Sequence, residues 1–270
     1  MEIGLALLIS ERKELNRPFS WSETRDMAQR AEAAGFCSLW LYDHILYRDP
    51  NEPTRGIWEC WTFLSALAEA TTRSQIGTLV ACTAFRNPAL LAKMAVTLDE
   101  VSNRRLILGL GAGWNAPEFK ALGLPFDHRM DRFEEALQIL KPLLVDGRVD
   151  FEGTYCAARD SELLPHGPRP SGPPLLFGTQ GPRGLRLAAR YGDLWNSAYD
   201  SEESTLRAAH ARLEEACRAE GRDPTTLPKT ALMAVTFPDL GGPDMPMAEF
   251  LVGSSDQLAV RFLSFERMGI

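Results

Sequence analysis

An aspartate and a histidine stand side by side at the end of an apolar run, in the sequence SLWLYDHI, as Asp43 and His44. Histidine is the side chain that most readily gains and loses a proton near neutral pH, and a neighbouring carboxylate can fix its tautomer and raise its basicity. The pair therefore predicts acid–base chemistry, with Asp43 orienting His44. The alternative is a polar pair that only closes a strand, and the other strand ends weigh against it.

A second candidate site is the sequence GTQGPRG, which begins at Gly178. Pro182 is typical of the first residue of a helix, and Thr179, Gln180 and Gly181 come directly before it. A helix N-terminus offers free NH groups and the positive end of the helix dipole, and glycine lets a ligand approach the backbone closely. This stretch is the strongest indication of a phosphate-binding loop. The alternative is a turn that binds nothing.

The stretch LILGLGAGWN has some features of a dinucleotide-binding loop, but its glycines fall at Gly109, Gly111 and Gly113 and the next residue is Trp114. The G-x-G-x-x-G pattern therefore fails by one residue. What remains is a strand followed by a turn, in which the NH groups of Ala112 and Gly113 are candidates to face an anion or a ring edge. Trp114 is expected either to stack on a flat ligand or to plug the mouth of the fold.

A third polar strand end is the sequence ACTAFRNP, in which Cys82, Thr83 and Arg86 are candidates to face a ligand. The alternative for Arg86 is a surface charge. Asn87 needs no ligand to explain it, because asparagine before proline is typical of a helix N-cap.

Composition excludes several classes of protein. The net charge is −7 and no long basic stripe occurs, so nucleic acid is not expected as a partner. No apolar run reaches the ~18 residues of a membrane helix, and the N-terminus does not resemble a signal peptide, so we expect a cytoplasmic protein with no membrane partner. The five cysteines are scattered, without a C-x-x-C pair, and are interpreted as reduced thiols.

Other chemistries lack their motifs. The histidines show neither H-x-H nor H-E-x-x-H spacing, so no metal site is expected. The lysines avoid the predicted carboxyl ends of strands, which argues against a Schiff-base aldolase. No G-x-S-x-G sequence occurs, so a hydrolase of the nucleophile-elbow type is not expected.

Short apolar runs alternate with amphipathic helical stretches along the chain, which predicts an α/β fold of parallel βα units in a single domain, residues 1–270. Seven units favour a (β/α)8 TIM barrel over a doubly wound sheet. An eighth strand is expected after Gly269, yet the sequence stops at Ile270. The edges that such a barrel exposes predict disorder nearby or contacts from a partner chain. The predicted strands are 3–8, 38–42, 76–82, 106–110, 174–178, 193–197 and 230–237.

The repeat breaks between Val145 and Pro174, where the Gly- and Pro-rich sequence HGPRPSGPP occurs. We interpret this stretch as a lid-like insertion that contributes to substrate choice.

Four stretches taken together resemble the luciferase-like monooxygenase superfamily, especially its branch that depends on the deazaflavin coenzyme F420: AEAAGFCSLWLYDHI, IGTLVACTAFRNPALLAKMAVTLDEVS, LILGLGAGWNAPEFKALG and GPPLLFGTQGPRGLRLAARYGDLWN. The resemblance runs through nearly the whole chain in order. It implies a TIM barrel, a homodimer, and a flavin or deazaflavin in the mouth of the barrel.

The resemblance also implies residue roles. Asp43 and His44 would contact the edge of the ring system and the substrate, with His44 moving a proton. A non-proline cis peptide bond would lie between Leu79 and Val80, behind the ring, and Cys82 would be the polar residue after it. The implied ring and phosphate contacts further along the chain are Gly111, Ala112, Gly113, Trp114, Gly178, Thr179, Gln180, Gly181 and Pro182.

The expected activity is hydride transfer between F420 and a small organic substrate. The alternatives are an FMN-dependent monooxygenase of the same superfamily and a flavin-binding relative without catalysis. Sugar-phosphate dehydrogenases of the family carry a catalytic glutamate where this chain has Trp114, which argues against that substrate class. Glu118 lies one helical turn further on and is not assumed to replace that glutamate.

Overall fold

The computed structural model describes residues 1–12, 15–48, 52–198, 202–241 and 250–270. These residues form two compact units. The first contains Glu2–Leu175, and the second contains Leu176–Ile270 together with Met1. Both units repeat the parallel strand–helix pattern expected from the sequence, so the α/β class is confirmed.

In the first unit, strands β1, β2, β5 and β7 pair in parallel in that order, and β6 pairs with the end of β7. The predicted strand at 76–82 is divided into β5 and β6, and the Leu79–Val80 peptide bond between them is cis, as the resemblance implied. The elements are β1 Gly4–Ala6, α1 Trp21–Ala33, β2 Ser38–Leu41, β3 Leu46–Tyr47, β4 Arg55–Gly56, α2 Cys60–Ala70, β5 Gln75–Thr78, β6 Ala81–Cys82, α3 Pro88–Val101, β7 Leu106–Gly111, α4 Ala116–Ala121, α5 Arg129–Asp146, β8 Arg148–Glu152 and β9 Ala157–Glu162.

Local sequence signals set the ends of these helices. Ser20 and Glu23 form a capping box at the start of α1, and Gly35 adopts φ +94° after its end. Asn87 accepts hydrogen bonds from the NH groups of Ala89 and Leu90 at the start of α3. Each of these assignments agrees with the sequence prediction.

Strand β7 is buried at all of its positions, as expected of a parallel strand covered on both faces. Gly109 lies so close to β5 that a Cβ atom on it would come within 1.9 Å of the carbonyl oxygen of Thr78. The Thr78 hydroxyl in turn donates to the carbonyl of Gly109 at 2.7 Å. This glycine therefore lets two central strands approach.

Gly109→Ala is expected to lower the free energy of unfolding by about 1–3 kcal/mol, because backbone must move to admit the methyl group. Gly181→Ala is the control, since a Cβ at Gly181 meets nothing within 4 Å and its φ is −75°. Urea unfolding of the two variants checks this difference. Equal stability of both variants would show that β5 and β7 can move apart to admit the methyl group without a loss of folding free energy.

In the second unit, β10, β11 and β12 are parallel, and β13 pairs in parallel with β14. The predicted strand 230–237 is divided into β12 and β13, and β14 is a strand that the sequence did not predict. Helix α8 begins with the capping box expected from Ser254 and Gln257. The elements are β10 Leu175–Phe177, whose first residue belongs to the first unit, α6 Pro182–Tyr191, β11 Leu194–Ala198, α7 Glu203–Ala219, β12 Lys229–Leu232, β13 Ala234–Thr236, β14 Phe250–Val252 and α8 Ser255–Glu266.

The predicted lid-like insertion is instead a packed structure. Strands β8 and β9 form an antiparallel hairpin whose tip is held by Glu135 of α5, which accepts hydrogen bonds from the NH groups of residues 154–156 at 2.7–2.9 Å. Arg169, in the Gly- and Pro-rich stretch, donates to the buried carboxylate of Asp99 and to the carbonyl of Leu106. Leu106 begins β7, so this stretch lies at the opposite end of the strand from the polar residues that follow it. This placement does not support the expectation that the stretch contributes to substrate choice, which stays a prediction.

Among the residues that the structure describes, no helix combines the length and apolar character required to cross a membrane.

Candidate functional site

The polar residues predicted from three strand ends of the first unit lie at one edge of its sheet. Asp43 and His44 follow β2, Cys82 ends β6, and Trp114 follows β7. Because these strands are parallel, their carboxyl ends share an edge, which is where α/β barrels place their active sites. A hydrogen bond joins Cys82 to Asp43, and the rings of His44 and Trp114 are in contact.

His44 is oriented by Glu118 of α4. Its Nδ1 atom lies 2.8 Å from Glu118 Oε2, while Glu118 Oε1 accepts hydrogen bonds from the backbone NH groups of Ile45 and Leu46 at 2.6 and 3.2 Å. A carboxylate only accepts hydrogen bonds, so Nδ1 carries the proton in this pair. Nε2 makes no hydrogen bond to any residue that the structure describes. The second nitrogen of His44 is therefore left as a hydrogen-bond acceptor.

The carboxyl group of Glu118 is held in its ionised form. Burial acts to raise the pKa of Glu118, but the hydrogen bonds from His44 and from the two backbone NH groups outweigh it, so the pKa lies below its ordinary value. The Glu118 side chain is 2% exposed and that of His44 is 17% exposed. The negative charge of Glu118 is thus buried, while the imidazole of His44 is partly exposed to solvent.

The prediction that Asp43 orients His44 is wrong. The Asp43 carboxylate points to Arg86, which donates to both of its oxygens at 2.6 and 3.1 Å, and it also accepts a hydrogen bond from the NH group of Cys82 at 3.1 Å. The Asp43 side chain is 0% exposed, so its carboxylate has no surface to offer to a ligand. Asp43 instead joins the ends of β2 and β6.

Arg86 is neither a surface charge nor a ligand-facing side chain. It is 12% exposed, it also donates to Glu59 at 2.8 Å, and its guanidinium lies 5.6 Å from the centre of the Trp61 ring. Burial acts to lower the pKa of Arg86, but the carboxylates of Asp43 and Glu59 outweigh it and raise the pKa, so Arg86 stays cationic. Because Glu59 also caps the N-terminus of α2, Arg86 ties that helix to the two strand ends.

Cys82 is a packing residue in this arrangement. Burial, reinforced by the charges of Asp43 and Glu118, raises the pKa of the Cys82 thiol to about 12, so it is no nucleophile at neutral pH. A Cβ atom on Gly113 would come within 2.6 Å of Cys82 Sγ. The glycine therefore lets the turn after β7 pack on the end of β6, with Gly111 and Ala112 buried between them.

Aromatic rings surround His44. The ring of Tyr47 lies 4.9 Å from the imidazole, that of Trp114 lies 5.4 Å away and that of Tyr42 lies 6.2 Å away, measured between centroids. Trp114 is 67% exposed, so it does not plug the fold, and the alternative that it stacks on a flat ligand stays a prediction.

The predicted phosphate loop lies in the second unit and has the expected local form. Helix α6 begins at Pro182 after Gly181, which carries no capping side chain, so the first-turn NH groups receive no side-chain cap from it. The Thr179 hydroxyl oxygen is buried and has no hydrogen-bond partner in the described part of the chain. Gln180 donates to the carbonyl of Ala198 at 3.2 Å, which holds the loop against the end of β11.

Sequence reasoning missed the roles of Glu118 and Arg86. The signal for Glu118 was its position one turn into a short helix after the glycine turn, where a carboxylate can reach back to the preceding strand end. No comparable signal identified the role of Arg86. Its carboxylate partners, Asp43 and Glu59, are 43 and 27 positions away in the sequence, and only the fold brings them to the arginine.

Parallel βα units with a histidine and a carboxylate at the carboxyl ends of the strands define an α/β protein of the kind that binds small molecules at that edge. The family described as luciferase-like monooxygenase matches residues 1–240, and this chain belongs to that family.

Two curated relatives represent two activities in the family. The F420-dependent hydroxymycolic acid dehydrogenase of Mycobacterium tuberculosis is 35% identical over 217 residues, which is 78% of this chain and 58% of the relative. The pyrimidine monooxygenase RutA of Escherichia coli is 32% identical over 174 residues, which is 61% of this chain and 44% of the relative. The chain therefore spans about half the length of these relatives, which are oxidoreductases.

A solved structure shares the fold. The F420-dependent secondary alcohol dehydrogenase in complex with an F420-acetone adduct superposes with a TM-score of 0.73 at 27% identity, covering 87% of this chain and 69% of that one.

Proposed function

We propose that this protein is an oxidoreductase that transfers a hydride between coenzyme F420 and a small organic substrate. The observation that carries the proposal is the His44–Glu118 pair, in which Nδ1 is fixed at 2.8 Å from a buried carboxylate and Nε2 is left for a ligand. The names of the dehydrogenase relatives support the choice of F420.

In this proposal His44 moves the proton that accompanies hydride transfer. Glu118 is the positioning residue, because it holds the tautomer in which Nε2 accepts a proton from an alcohol, and it stabilises the imidazolium that then forms. In the reverse direction the imidazolium returns the proton at the same atom. Asp43 acts on the site by fixing the backbone at Cys82 rather than by touching the substrate.

The loop before α6, in the second unit, fits a phosphate group. The unsatisfied hydroxyl of Thr179 at the N-terminus of α6 is a donor that a phosphate would satisfy, and Gly178, Gln180, Gly181 and Pro182 complete that loop. Leu79, Val80, Cys82, Gly111, Ala112, Gly113 and Trp114 are the proposed ring contacts. When bound, the deazaflavin supplies the hydride chemistry that no side chain provides.

The second candidate is an FMN-dependent monooxygenase, which the match to RutA favours. A flavin-binding relative without catalysis is a third reading, and the ordered His44–Glu118 pair argues against it. The homodimeric state and the cytoplasmic location expected from the sequence stay predictions.

Parallel titrations with F420 and with FMN, each oxidised and reduced, are expected to show that F420 raises the melting temperature more. Ligand at 100 times its dissociation constant adds about 2.7 kcal/mol of stability when it binds only the folded chain. Cofactor fluorescence measures the same binding independently. Preference for reduced FMN would replace the proposal by the monooxygenase, and binding of neither would contradict both.

Thr179→Val is the matched variant for the phosphate loop. It keeps the volume of the side chain and removes a buried hydroxyl without a partner, so the ligand-free protein should be at least as stable as wild type. Its melting temperature should respond less to the cofactor. A full cofactor response in Thr179→Val would show that the phosphate binds elsewhere.

A further inference from the structure

Trp114 presents an exposed indole directly beside the reactive histidine. Its residue exposure is 67%, and its ring stands at 74° to the imidazole of His44 with 5.4 Å between centroids. The two rings therefore stand edge to face beside each other. A tryptophan exposed to this extent beside the proposed proton-transfer group is available for stacking by a ligand.

The backbone on both sides of Trp114 is held in place. Gly113 adopts φ +79° and packs where a Cβ would come within 2.7 Å of the Phe119 ring. Asn115 is 7% exposed, and its side-chain amide donates to the carbonyl of Leu46 at 3.1 Å. The indole is therefore presented on a fixed turn, so a ligand that covers it does not first have to order the loop.

A second aromatic ring borders the same histidine. Tyr47 lies 4.9 Å from the imidazole, and the Arg55 guanidinium lies over the Tyr47 ring at 5.1 Å. Two aromatic rings that flank a proton-transfer group suit a flat, unsaturated group on the molecule that exchanges the proton.

The charged group in direct contact with the His44 ring is an anion, which disfavours a second anion there. The Glu118 carboxylate is 2.8 Å from the other nitrogen of the same ring and is ionised. The cation Arg86 is shared between two carboxylates, those of Asp43 and Glu59. An anionic group placed against His44 would therefore lie close to the Glu118 carboxylate in a partly buried setting, where repulsion is weakly screened. The cation Arg55 is one ring further away, over Tyr47.

We propose that the substrate is an uncharged compound whose reactive carbon bears an aromatic or conjugated group, and that this group stacks on Trp114. This inference rests on the proposed function, because it takes His44 as the proton-transfer group. It makes Trp114 a specificity-determining residue for the substrate rather than a support for the cofactor alone.

The test compares a neutral probe, acetophenone, with its para-carboxylate analogue, 4-acetylbenzoate, by ligand-observed NMR titration of the full chain, both without cofactor and with saturating cofactor. Acetophenone is expected to bind about tenfold more tightly than its carboxylate analogue. Trp114→Ala should weaken acetophenone binding about 3- to 10-fold, whereas Trp114→Phe, which keeps a flat ring, should stay within about twofold of wild type.

Trp58→Phe is the control for replacing an exposed tryptophan. Trp58 is 44% exposed and stacks on Phe63 at 5.8 Å, and this variant should bind acetophenone as the wild type does. Equal affinity for the two probes, tighter binding of 4-acetylbenzoate, binding of neither, or wild-type binding by Trp114→Ala would each overturn the inference. Cofactor binding with any of these results rejects this inference alone, whereas failure to bind either cofactor rejects the proposed function itself.

Discussion

Arg86→Gln is expected to lower the free energy of unfolding by about 3–5 kcal/mol, because it leaves the buried Asp43 carboxylate without its counter-charge. Asp43 has a side chain with 0% exposure and receives two of its three hydrogen bonds from Arg86. Urea unfolding at pH 7, analysed for both midpoint and slope, measures the change. Arg159→Gln is the control, because the side chains of Arg159 and Glu152 are 68% and 67% exposed and such pairs contribute at most about 1 kcal/mol.

The pH dependence of the Arg86→Gln defect separates lost charge pairing from lost packing. Burial is the largest influence on the pKa of Asp43 and raises it, while the hydrogen bonds from Arg86 oppose the rise. The pKa of Asp43 already lies above its ordinary value with Arg86 present, and it rises further without Arg86. The variant therefore gains more stability than the wild type as the pH falls. The defect should therefore shrink below pH 7, and Asp43→Asn combined with Arg86→Gln should restore part of the stability. A defect that is independent of pH and unchanged in the double variant would indicate packing alone.

Features that depend on residues close together in the sequence were predicted better than features that depend on residues far apart in it. The capping box at Ser20, the N-cap at Asn87 and the glycine stop at Gly35 involve neighbours within four residues, so the sequence predicted them correctly. The parallel strand–helix units were also predicted correctly, because the apolar run of each strand and the apolar face of each helix are patterns among residues close in sequence. The β14 strand was missed because its apolar run is only the three residues Phe250–Val252, whereas the predicted strands 3–8 and 174–178 are longer.

The partners of charged side chains were harder to predict because they are distant in sequence. Asp43 and His44 are adjacent, which suggested that they pair, yet successive residues at a strand end point in different directions. His44 meets Glu118 from 74 positions away, and Asp43 meets Arg86 from 43 positions away. The sequence therefore predicted that these polar residues lie at one edge of the sheet. Which side chains form pairs there could be seen only in the folded structure.

The two ion pairs at this edge of the sheet have different roles. The Asp43–Arg86 pair is buried and joins β2, β6 and α2, so its effect is on the shape of the site. The Glu118–His44 pair reaches the surface only through the imidazole, so its effect is on the proton. Variants of the first pair should therefore change stability more than variants of the second, while the order for turnover is the reverse.

His44→Ala is expected to reduce turnover about 10²- to 10⁴-fold while the protein still binds the cofactor. The residue is partly exposed and contributes one side-chain hydrogen bond, so its loss should leave the fold intact. The rate of oxidation of reduced F420 is measured with the ketone, aldehyde or imine that the wild-type protein reduces fastest. The rise in melting temperature on adding F420 is measured in parallel and should match that of the wild type.

Glu118→Gln tests whether the carboxylate acts through His44. Glutamine can still accept the hydrogen bonds from Ile45 and Leu46, so the turn after β2 is preserved while the negative charge is removed. We expect kcat to fall with little change in KM, because the charge matters most when the imidazole carries an extra proton. The loss should be smaller than in His44→Ala, and adding Glu118→Gln to His44→Ala should cause little further loss. Wild-type turnover in His44→Ala would reject the proton-transfer role, and independent losses in the double variant would show that Glu118 acts by another route.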